Sequence, residues 1–269
     1  MLKTIKENTQ DHIKYFSQIL HLAKTDLIKT YRNAALGWVW AIVKPTVTIF
    51  AYWFAFSIGL RSNNAVNGFS FFLWLICGMI PWFYMQDMLT LGTESIKKYS
   101  YLVTKLKFPM STIPTFVSLS KLFINLIMIL ICMLIFCLQG FTPDIYWIQI
   151  PLIIMLSFIF FTVFAQLSAL IAAVSSDYAN LVKSFVTAIF WFSGILWDAE
   201  SISIPWLKEI LFINPITFLV TSFRDAFINK RWFFEQTDRL VVFLCLTIFT
   251  YFLSIIAYKR LRKEIPDVI

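Results

Sequence analysis

The chain has 269 residues, of which 59% are hydrophobic and 14% are charged. This composition excludes an ordinary soluble domain and indicates an integral membrane protein. No Gly-x-x-x-x-Gly-Lys-Ser/Thr motif is present, so we expect no nucleotide hydrolysis by the chain itself. Both histidines lie near the N-terminus, which argues against an intramembrane histidine metal site or catalytic triad. The net charge of +8 comes from Lys and Arg beside apolar segments, which favours membrane topology over nucleic-acid binding.

The N-terminal segment, residues 1–35, is polar and is expected to lie in the cytoplasm. Between residues 11 and 32, apolar side chains recur every three or four positions, and polar or basic ones fall mostly on the other side. This pattern predicts a basic amphipathic helix in the membrane interface, with packing on a partner protein as the alternative. The apolar stripe consists of Ile13, Phe16, Leu20, Ala23, Leu27 and Tyr31.

Six apolar stretches are long enough to cross about 30 Å of hydrocarbon, which takes roughly 20 residues. Together they predict an all-α polytopic membrane protein with a six-span domain over residues 36–258. The stretches cover residues 36–60, 70–93, 114–138, 146–173, 180–198 and 239–258.

The basic residues predict the orientation, because short cytoplasmic loops retain Lys and Arg. The N-terminal segment, the loop 94–113 and the tail 259–269 are rich in Lys and Arg, whereas residues 139–145 contain neither and residues 61–69 contain only Arg61. Both termini and the loop 94–113 are therefore expected in the cytoplasm. Residues 199–238 are expected outside.

The outer segment 199–238 contains two short apolar pieces, residues 204–213 and 216–229, separated by Asn214 and Pro215. Proline lacks a backbone N–H and disfavours helix at the preceding residue, so neither piece can span the membrane. Charged side chains fall on other faces than the apolar stripes. We predict a re-entrant or interfacial helical hairpin that acts as an outer gate, with a static lid as the alternative. The candidate gate residues are Asn214, Pro215, Phe218, Phe223, Arg224 and Asp225.

Polar residues within spans need an aqueous or protein partner, because a charge at the centre costs roughly 2.5–3.5 kcal/mol. Lys44 and Lys121 lie close enough to a cytoplasmic end to snorkel, whereas Asp87 lies deeper and is the stronger functional candidate. A structural hydrogen bond from Asp87 to a neighbouring helix is the alternative.

Aromatic residues make up 18% of the chain, more than two interfacial belts need. Some are therefore expected to line an interior, where their faces stack on sugar rings. For each residue alone, a lipid anchor or a core position is the alternative. The candidates for a channel or lateral gate are Trp53, Trp82, Phe83, Phe190, Trp191 and Trp197.

The order of these parts resembles the ABC-2 type permeases that export cell-surface polysaccharides. Four stretches, residues 50–63, 71–86, 103–115 and 212–227, look most like the teichoic acid translocation permeases of Gram-positive bacteria. The last two stretches are shared with O-antigen and capsule exporters, so those polymers are the alternative cargo. The short motifs that carry the resemblance are Gly37-Trp38-Val39-Trp40, Lys44-Pro45 and Lys107-Phe108-Pro109.

The resemblance implies a homodimeric permease of the bacterial plasma membrane that binds two copies of a separate ATP-binding subunit. ATP and Mg²⁺ would be held by that subunit, so this chain would carry no cofactor and would not be an enzyme by itself. The cargo would be a polyprenyl-diphosphate-linked anionic polymer, and the first and fifth spans would form a lateral gate for its lipid.

By the same resemblance, residues 98–109 would form a coupling helix seated in a cleft of the ATP-binding subunit. Apolar side chains of this loop would supply most of the contact energy, flanked by basic ones, and a proline is expected to end the helix. The candidate coupling residues are Tyr101, Leu102, Lys105, Leu106, Lys107 and Pro109.

Three cations of the N-terminal helix, Lys24, Lys29 and Arg32, are candidates to attract the diphosphate headgroup. Each basic residue near an anionic membrane surface contributes about 1 kcal/mol. The alternative is that these cations only enforce topology.

Two other classes fit the sequence less well. An intramembrane enzyme acting on a polyprenyl lipid needs acids or bases at one depth, but Asp87 and Glu94 are seven residues, about 10.5 Å, apart. An ion-coupled carrier often has broken short spans in both halves, and no such repeat is visible.

Overall fold

The computed structural model of the protein describes residues 2–32, 35–59 and 68–269. The regular elements of these ranges are helices, joined by short turns. In chain order they are α1 (Leu2–Lys14), α2 (Phe16–Tyr31), α3 (Trp40–Phe54), α4 (Phe71–Asp87), α5 (Ser95–Lys98), α6 (Ser100–Thr104), α7 (Ile113–Leu138), α8 (Ile150–Val174), α9 (Ser176–Phe192), α10 (Pro205–Ile213), α11 (Pro215–Arg224), α12 (Thr237–Leu261) and α13 (Ile265–Val268). Turns of π-helix follow α3, α4 and α11 at Ala55–Gly59, Met88–Gly92 and Asp225–Asn229.

Within the described ranges, five helical segments are long and apolar enough to cross a membrane. A sixth crossing is possible only if α10 and α11 count as one broken span, since they bend by 97° at the break between them. The predicted all-α polytopic membrane fold is therefore confirmed, and the predicted hairpin corresponds to the bent pair α10 and α11. The five segments are Gly37–Ile58, Phe71–Gly92, Met110–Leu138, Ile145–Val174 and Thr237–Leu261.

The predicted fifth span, residues 180–198, corresponds to the shorter helix α9. This helix has 17 residues, and a helix of that length is about 25 Å long. It ends at Phe192 because Gly194 takes a left-handed conformation with φ of 63°, which terminates an α-helix. The prediction that this helix continues to residue 198 is wrong.

The core of the bundle is built around α4, most of whose side chains are buried. It packs against α3, α7 and α11, and α8 packs against α7 and α12. A short chain of hydroxyl groups links three of these helices: Tyr84 to Ser118 at 2.8 Å and Ser118 to Thr162 at 2.7 Å. Such small polar contacts hold helices together where lipid offers no competing partner.

The connecting segments gather at two ends of the bundle. At the basic end, His12 of α1 hydrogen-bonds Thr115 at the start of α7, and Arg262 after α12 pairs with Glu7 at 2.7 Å. At the hairpin end, Asp144 forms an ion pair with Lys230. The N-terminal helices, the loop 94–113 and the C-terminal tail thus share one end, as the alternation of basic loops predicts. Residues 61–67, also predicted outside, lie beyond the described ranges.

The predicted N-terminal amphipathic helix is divided in two. α1 ends at Lys14 and α2 begins at Phe16, and the ring of Tyr15 between them packs edge-on against Phe108 at 5.3 Å. One face of α2 packs on α7 of the same chain. The predicted apolar stripe is therefore shared between protein and surroundings: Ala23 and Leu27 are buried, and Ile13, Phe16 and Leu20 are exposed.

Candidate functional site

Aromatic side chains from α3, α4 and α9 meet in a small pocket, which we call the aromatic pocket. The ring of Phe190 on α9 lies 5.3 Å from that of Tyr52 and 5.4 Å from that of Trp82, measured between centroids. Phe83 and Trp191 complete the aromatic lining around a space of about 160 Å³. Four of the six aromatic residues singled out in the sequence therefore lie together, at the junction of the first, second and fifth predicted spans.

The other two aromatic candidates lie beside this pocket and do not line it. Trp53 packs edge-on against Phe72 at 6.3 Å. Trp197 follows the end of α9 and donates its indole N–H to the backbone oxygen of Trp191 at 2.7 Å. Trp197 therefore fixes the backbone of a pocket residue.

A larger cavity of about 620 Å³ lies between α2, α3, α4 and α7, and we call it the polar chamber. It is lined by Lys44, Asp87 and Lys121, the charged residues singled out within the spans. The Lys121 Nζ lies 3.6 Å from an Asp87 carboxylate oxygen, and the side chains are 7% and 43% exposed respectively. Because Asp87 lines the chamber, its exposed surface faces this cavity. The expectation that Lys121 snorkels is wrong, since its side chain is buried.

The polar chamber and the aromatic pocket are adjacent. Three residues, Thr48, Phe83 and Gln86, line both cavities. On α4, Asp87 lines the chamber and Met79 lines the pocket, and each is four residues from Phe83, so the two cavities follow one face of this helix over about 12 Å. A charged compartment thus lies directly beside an aromatic one.

A turn of π-helix, Met88–Gly92, begins immediately after Asp87. Such turns insert an extra residue into a helix and recur at functional sites. Here the turn is packed tightly, because a Cβ at Gly92 would lie 2.9 Å from the Cβ of Ala165 on α8. Gly92 therefore allows α8 to approach the helix that carries Asp87.

The three candidate headgroup cations, Lys24 and Lys29 of α2 and Arg32 directly after it, are exposed. Lys24 stands at an apolar groove of about 520 Å³ between α2 and α7. The structure leaves these cations accessible, and their predicted role towards a headgroup stays a prediction.

Sequence reasoning missed Asp26, a buried carboxylate on the same helix. It accepts a hydrogen bond from the hydroxyl of Tyr99 and pairs with Lys98 at 3.0 Å, so it ties α2 to the loop 94–113. Burial alone would raise the pKa of Asp26, but the Tyr99 hydroxyl and the Lys98 ammonium outweigh burial and lower it. Asp26 lies seven residues, about two helical turns, after Ile19 and therefore on the same buried face of α2. This spacing was the sequence signal that could have indicated its burial.

The loop 94–113 contains two short helices, α5 and α6, and differs in two respects from the predicted coupling helix. α6 ends at Thr104, before Pro109, and Lys107 takes a left-handed conformation with φ of 50°. The prediction that Pro109 ends the helix is therefore wrong.

One of the three residues of the predicted apolar patch on this loop is not exposed. Tyr101 and Leu106 are 42% and 66% exposed, whereas Leu102 is buried among residues of α7 and α8. The prediction that Leu102 is an exposed contact residue is wrong, because its side chain holds the loop onto the bundle. Lys105 and Lys107 are exposed, as expected for flanking charges.

At the hairpin end, the two arms of the hairpin meet at the predicted Asn214-Pro215 break. The Asn214 side chain caps α11 by accepting from the N–H of Ile216 at 3.0 Å, and it donates to Ser193 at 2.7 Å. The arms differ in burial: α10 exposes Trp206 and Ile210, whereas every residue of α11 after Pro215 is buried.

Phe218, Phe223, Arg224 and Asp225 belong to this buried arm. Arg224 donates to the backbone oxygens of Gly194 and Ile195, each at 2.6 Å, and its guanidinium lies 3.4 Å from the ring centroid of Trp74. Asp225 accepts from Asn229 at 2.8 Å.

The sequence placed the hairpin charges away from the apolar stripes, which suggested exposed faces. Arg224 and Asp225 are instead buried, because α11 lies between α4, α8 and α12. Gly78 on α4 makes room for the arginine, since a Cβ there would lie 2.6 Å from the Nη2 of Arg224.

The sequence model of the ABC-2 type transporter family matches residues 17–228. The chain belongs to this family. The match runs from the beginning of α2 to the π-helical turn after α11, so it includes the polar chamber, the aromatic pocket, the loop 94–113 and the hairpin arms.

Individual relatives of this ABC-2 type permease cover most of its length. It is 22% identical over 271 residues to the O-antigen export system permease protein RfbA of Myxococcus xanthus, and the alignment covers all of both chains. It is 24% identical over 228 residues to RfbA of Klebsiella pneumoniae, covering 84% of this chain and 85% of that one. It is also 22% identical to the inner membrane transport permease YadH of Escherichia coli K12, over 71% of this chain and 77% of the relative.

Proposed function

We propose that the chain is the transmembrane permease of an ATP-driven exporter that moves a polyprenyl-diphosphate-linked surface polysaccharide out of the cell. The adjacency of the polar chamber and the aromatic pocket, which share three lining residues, carries this proposal. A lipid-linked polysaccharide joins a charged diphosphate to sugar rings, and such a molecule needs cations beside aromatic faces on which sugars stack. The two compartments offer these surfaces in sequence along α4.

The relatives support an O-antigen type polysaccharide as the cargo. Two of them are named as O-antigen export permeases and are covered over 100% and 85% of their own lengths. This supports the alternative raised from the sequence over teichoic acid, for which the comparisons offer no support.

Export would draw its energy from a separate ATP-binding subunit, because ABC-2 permeases work with such partners. Tyr101 and Leu106 form an exposed apolar pair at the basic end, with Lys105 and Lys107 beside them. This arrangement suits insertion of the loop into a cleft, with apolar side chains supplying most of the contact energy and charges at the rim. ATP and Mg²⁺ would be bound by the partner.

Two copies of the chain would enclose the path. The segment Gly37–Ile58 is the least buried of the spanning helices, and its exposed side chains include Phe50 and Phe54. On α9, Phe185 and Trp191 are likewise exposed. The first and fifth predicted spans would therefore face the second protomer and form the lateral gate. The cations of α2 would attract the headgroup towards it.

The outer hairpin would contribute its exposed arm to the gate. α11 is anchored by Arg224 and buried on all sides, so movement is expected in α10, pivoting about Asn214 and Pro215.

The basic end is expected in the cytoplasm. In a cysteine-free background, a cysteine at Ser203 should react with an impermeant thiol reagent applied to intact cells, and one at Thr104 should not. Reaction at Thr104 would reverse the orientation.

The function itself is tested in vesicles that contain the permease and its ATP-binding partner. ATP-dependent transport of a polyprenyl-diphosphate-linked oligosaccharide should fall at least tenfold in Phe190→Ala, because the pocket loses its central ring. The matched control is Phe249→Ala, an exposed phenylalanine on α12, which should transport normally. Absence of transport by the unaltered pair, or equal losses in both variants, would refute the proposal.

A further inference from the structure

Lys121 in the polar chamber has N–H donors that its ion-pair partner does not occupy. The Lys121 side chain is 7% exposed, and its nearest acidic partner, Asp87, lies at 3.6 Å. A charge-assisted N–H to carboxylate bond is usually about 2.7–2.9 Å long. An ammonium group has three N–H donors, so this loose pair leaves Lys121 able to bind a second group.

The same chamber offers further donors around an open volume. Lys44 on α3 is exposed and lines the chamber, as does the Tyr31 side chain of α2. Asn125 donates one amide hydrogen to the backbone oxygen of Ile80 at 2.7 Å, which leaves its other amide hydrogen for a ligand. The volume of about 620 Å³ lies within the range of small-molecule sites, about 300–1,000 Å³.

The charges of the chamber favour an anion. Two lysines line it with one carboxylate, so the formal balance is one positive charge. Lysine is a compact point charge that binds phosphate groups without a fixed geometry. The 43% exposure of Asp87 means that its carboxylate keeps contact with the chamber's solvent when Lys121 turns away.

We propose that the polar chamber binds the phosphate-bearing headgroup of an amphiphile, and that Lys121 exchanges its partner Asp87 for that headgroup. Lys44 and Lys121 hold the anion, and the carboxylate of Asp87 competes with it for Lys121. Asp87 thereby weakens binding and favours release, which a transport site needs. This inference deepens the proposed function and rests on it for the identity of the amphiphile.

The partner exchange predicts opposite effects of two substitutions. Lys121→Gln removes a cation that holds the ligand and should weaken binding of farnesyl diphosphate at least tenfold. Asp87→Asn removes the competing charge and should strengthen binding about threefold or more. If the pair were only structural, both variants would weaken binding together.

Binding is measured by titration calorimetry on the purified full-length permease in detergent, with farnesyl diphosphate, farnesol and pyrophosphate as probes. Farnesyl diphosphate and pyrophosphate should both bind, and farnesol should bind at least tenfold more weakly than farnesyl diphosphate. Equal binding of farnesol would overturn phosphate recognition. Failure of both farnesyl diphosphate and pyrophosphate to bind would overturn the proposal.

The matched control is Lys263→Gln, an exposed lysine in the tail, which should bind as the unaltered protein does. If Lys121→Gln fails to fold, Lys44→Gln tests the same cation requirement. Weakened binding in Asp87→Asn, or unchanged binding in the lysine variants, would overturn the partner exchange. These measurements need neither ATP nor polysaccharide, so opposite shifts without transport would refute the exporter and leave the site intact.

Discussion

Replacing Asp26 by asparagine removes the charge on which the link between α2 and the loop 94–113 depends. The Tyr99 hydroxyl donates to this carboxylate, and a buried hydrogen bond to a charged group contributes about 1.5–3 kcal/mol. Lys98 adds less than about 1 kcal/mol, because its side chain is 47% exposed and the pair is screened by solvent. Asparagine keeps an acceptor for Tyr99, so we expect Asp26→Asn to lower the free energy of unfolding by about 1–3 kcal/mol.

A double-mutant cycle isolates this contact. Asp26→Asn, Tyr99→Phe and the double variant are unfolded thermally in one detergent, and the coupling between the two positions should be about 1 kcal/mol or more. Thr25→Ala on the same helix is the control and should change stability by less than about 0.5 kcal/mol, since Thr25 bonds only to a backbone oxygen within its own helix. Strictly additive effects of the two substitutions would refute the proposed link.

Acid should have the same effect as the substitution. The folded protein holds the pKa of Asp26 below its ordinary value, so the charge contributes fully to stability above about pH 4. The contribution is lost as the pH falls through the lowered pKa. Asp26→Asn should therefore have a flatter stability profile below pH 4 than the unaltered protein, and identical profiles would contradict the assignment.

Three further predictions concern the loop and the hairpin end. Tyr101→Ala with Leu106→Ala should weaken binding of the ATP-binding subunit by about 2–3 kcal/mol in a pull-down titration. Full burial of such side chains contributes about 1.5–3 kcal/mol each, and these two are 42% and 66% exposed before binding. Lys105→Ala should weaken binding by less than about 1 kcal/mol, and equal losses would contradict the apolar contact. Arg224→Met should lower the free energy of unfolding by about 3 kcal/mol or more, because two backbone oxygens lose a charged donor, and an unchanged melting temperature would refute the anchoring role. Burial alone would raise the pKa of Glu200, but Arg239 and Arg231 outweigh burial and lower it. Acidification below about pH 4 and the Glu200→Gln substitution at neutral pH should therefore both speed proteolysis between residues 199 and 238. Protection in both conditions would show that this carboxylate does not hold the hairpin.

The sequence predicted the fold correctly at places where the type of a single residue determines the backbone conformation. Asn214 and Pro215 lie at the 97° bend because proline disfavours helix at the residue before it, and asparagine in that extended position caps the helix that follows. The lengths of the apolar runs likewise predicted five of the six spans closely. The end of α9 was missed, because a single Gly194 in a left-handed conformation stops a helix that the hydropathy of the following residues would continue.

Burial was harder to predict than helices, because it depends on distant parts of the chain. Leu102 and Leu106 have the same side chain and lie four residues apart, but only Leu102 belongs to the buried cluster that also contains Phe116 of α7 and Leu170 of α8. Asp26 is likewise buried because Tyr99 of the loop 94–113 is placed against it. In both cases the deciding surroundings come from another part of the chain.

The candidate site was predictable in residue type and not in arrangement. Hydropathy identified Asp87 and Lys121 as expensive charges, and the excess of aromatic residues indicated an interior role for some of them. The junction between the two cavities depends on how α3 and α9 cross α4, which no periodicity within one segment specifies. The sequence therefore identified Phe83 as a candidate residue, but it did not predict that Phe83 lines both the chamber and the pocket.

The close fit between Gly78 and Arg224 constrains how this region can change during evolution. A methyl group at position 78 would lie 2.6 Å from the guanidinium and 3.0 Å from the backbone oxygen of Ile195, so the arginine could not keep both of its carbonyl partners. The two positions should therefore vary together among descendants of a common ancestor. Lineages that lost the arginine lose the closer of these two contacts, and lineages that retain it should retain glycine.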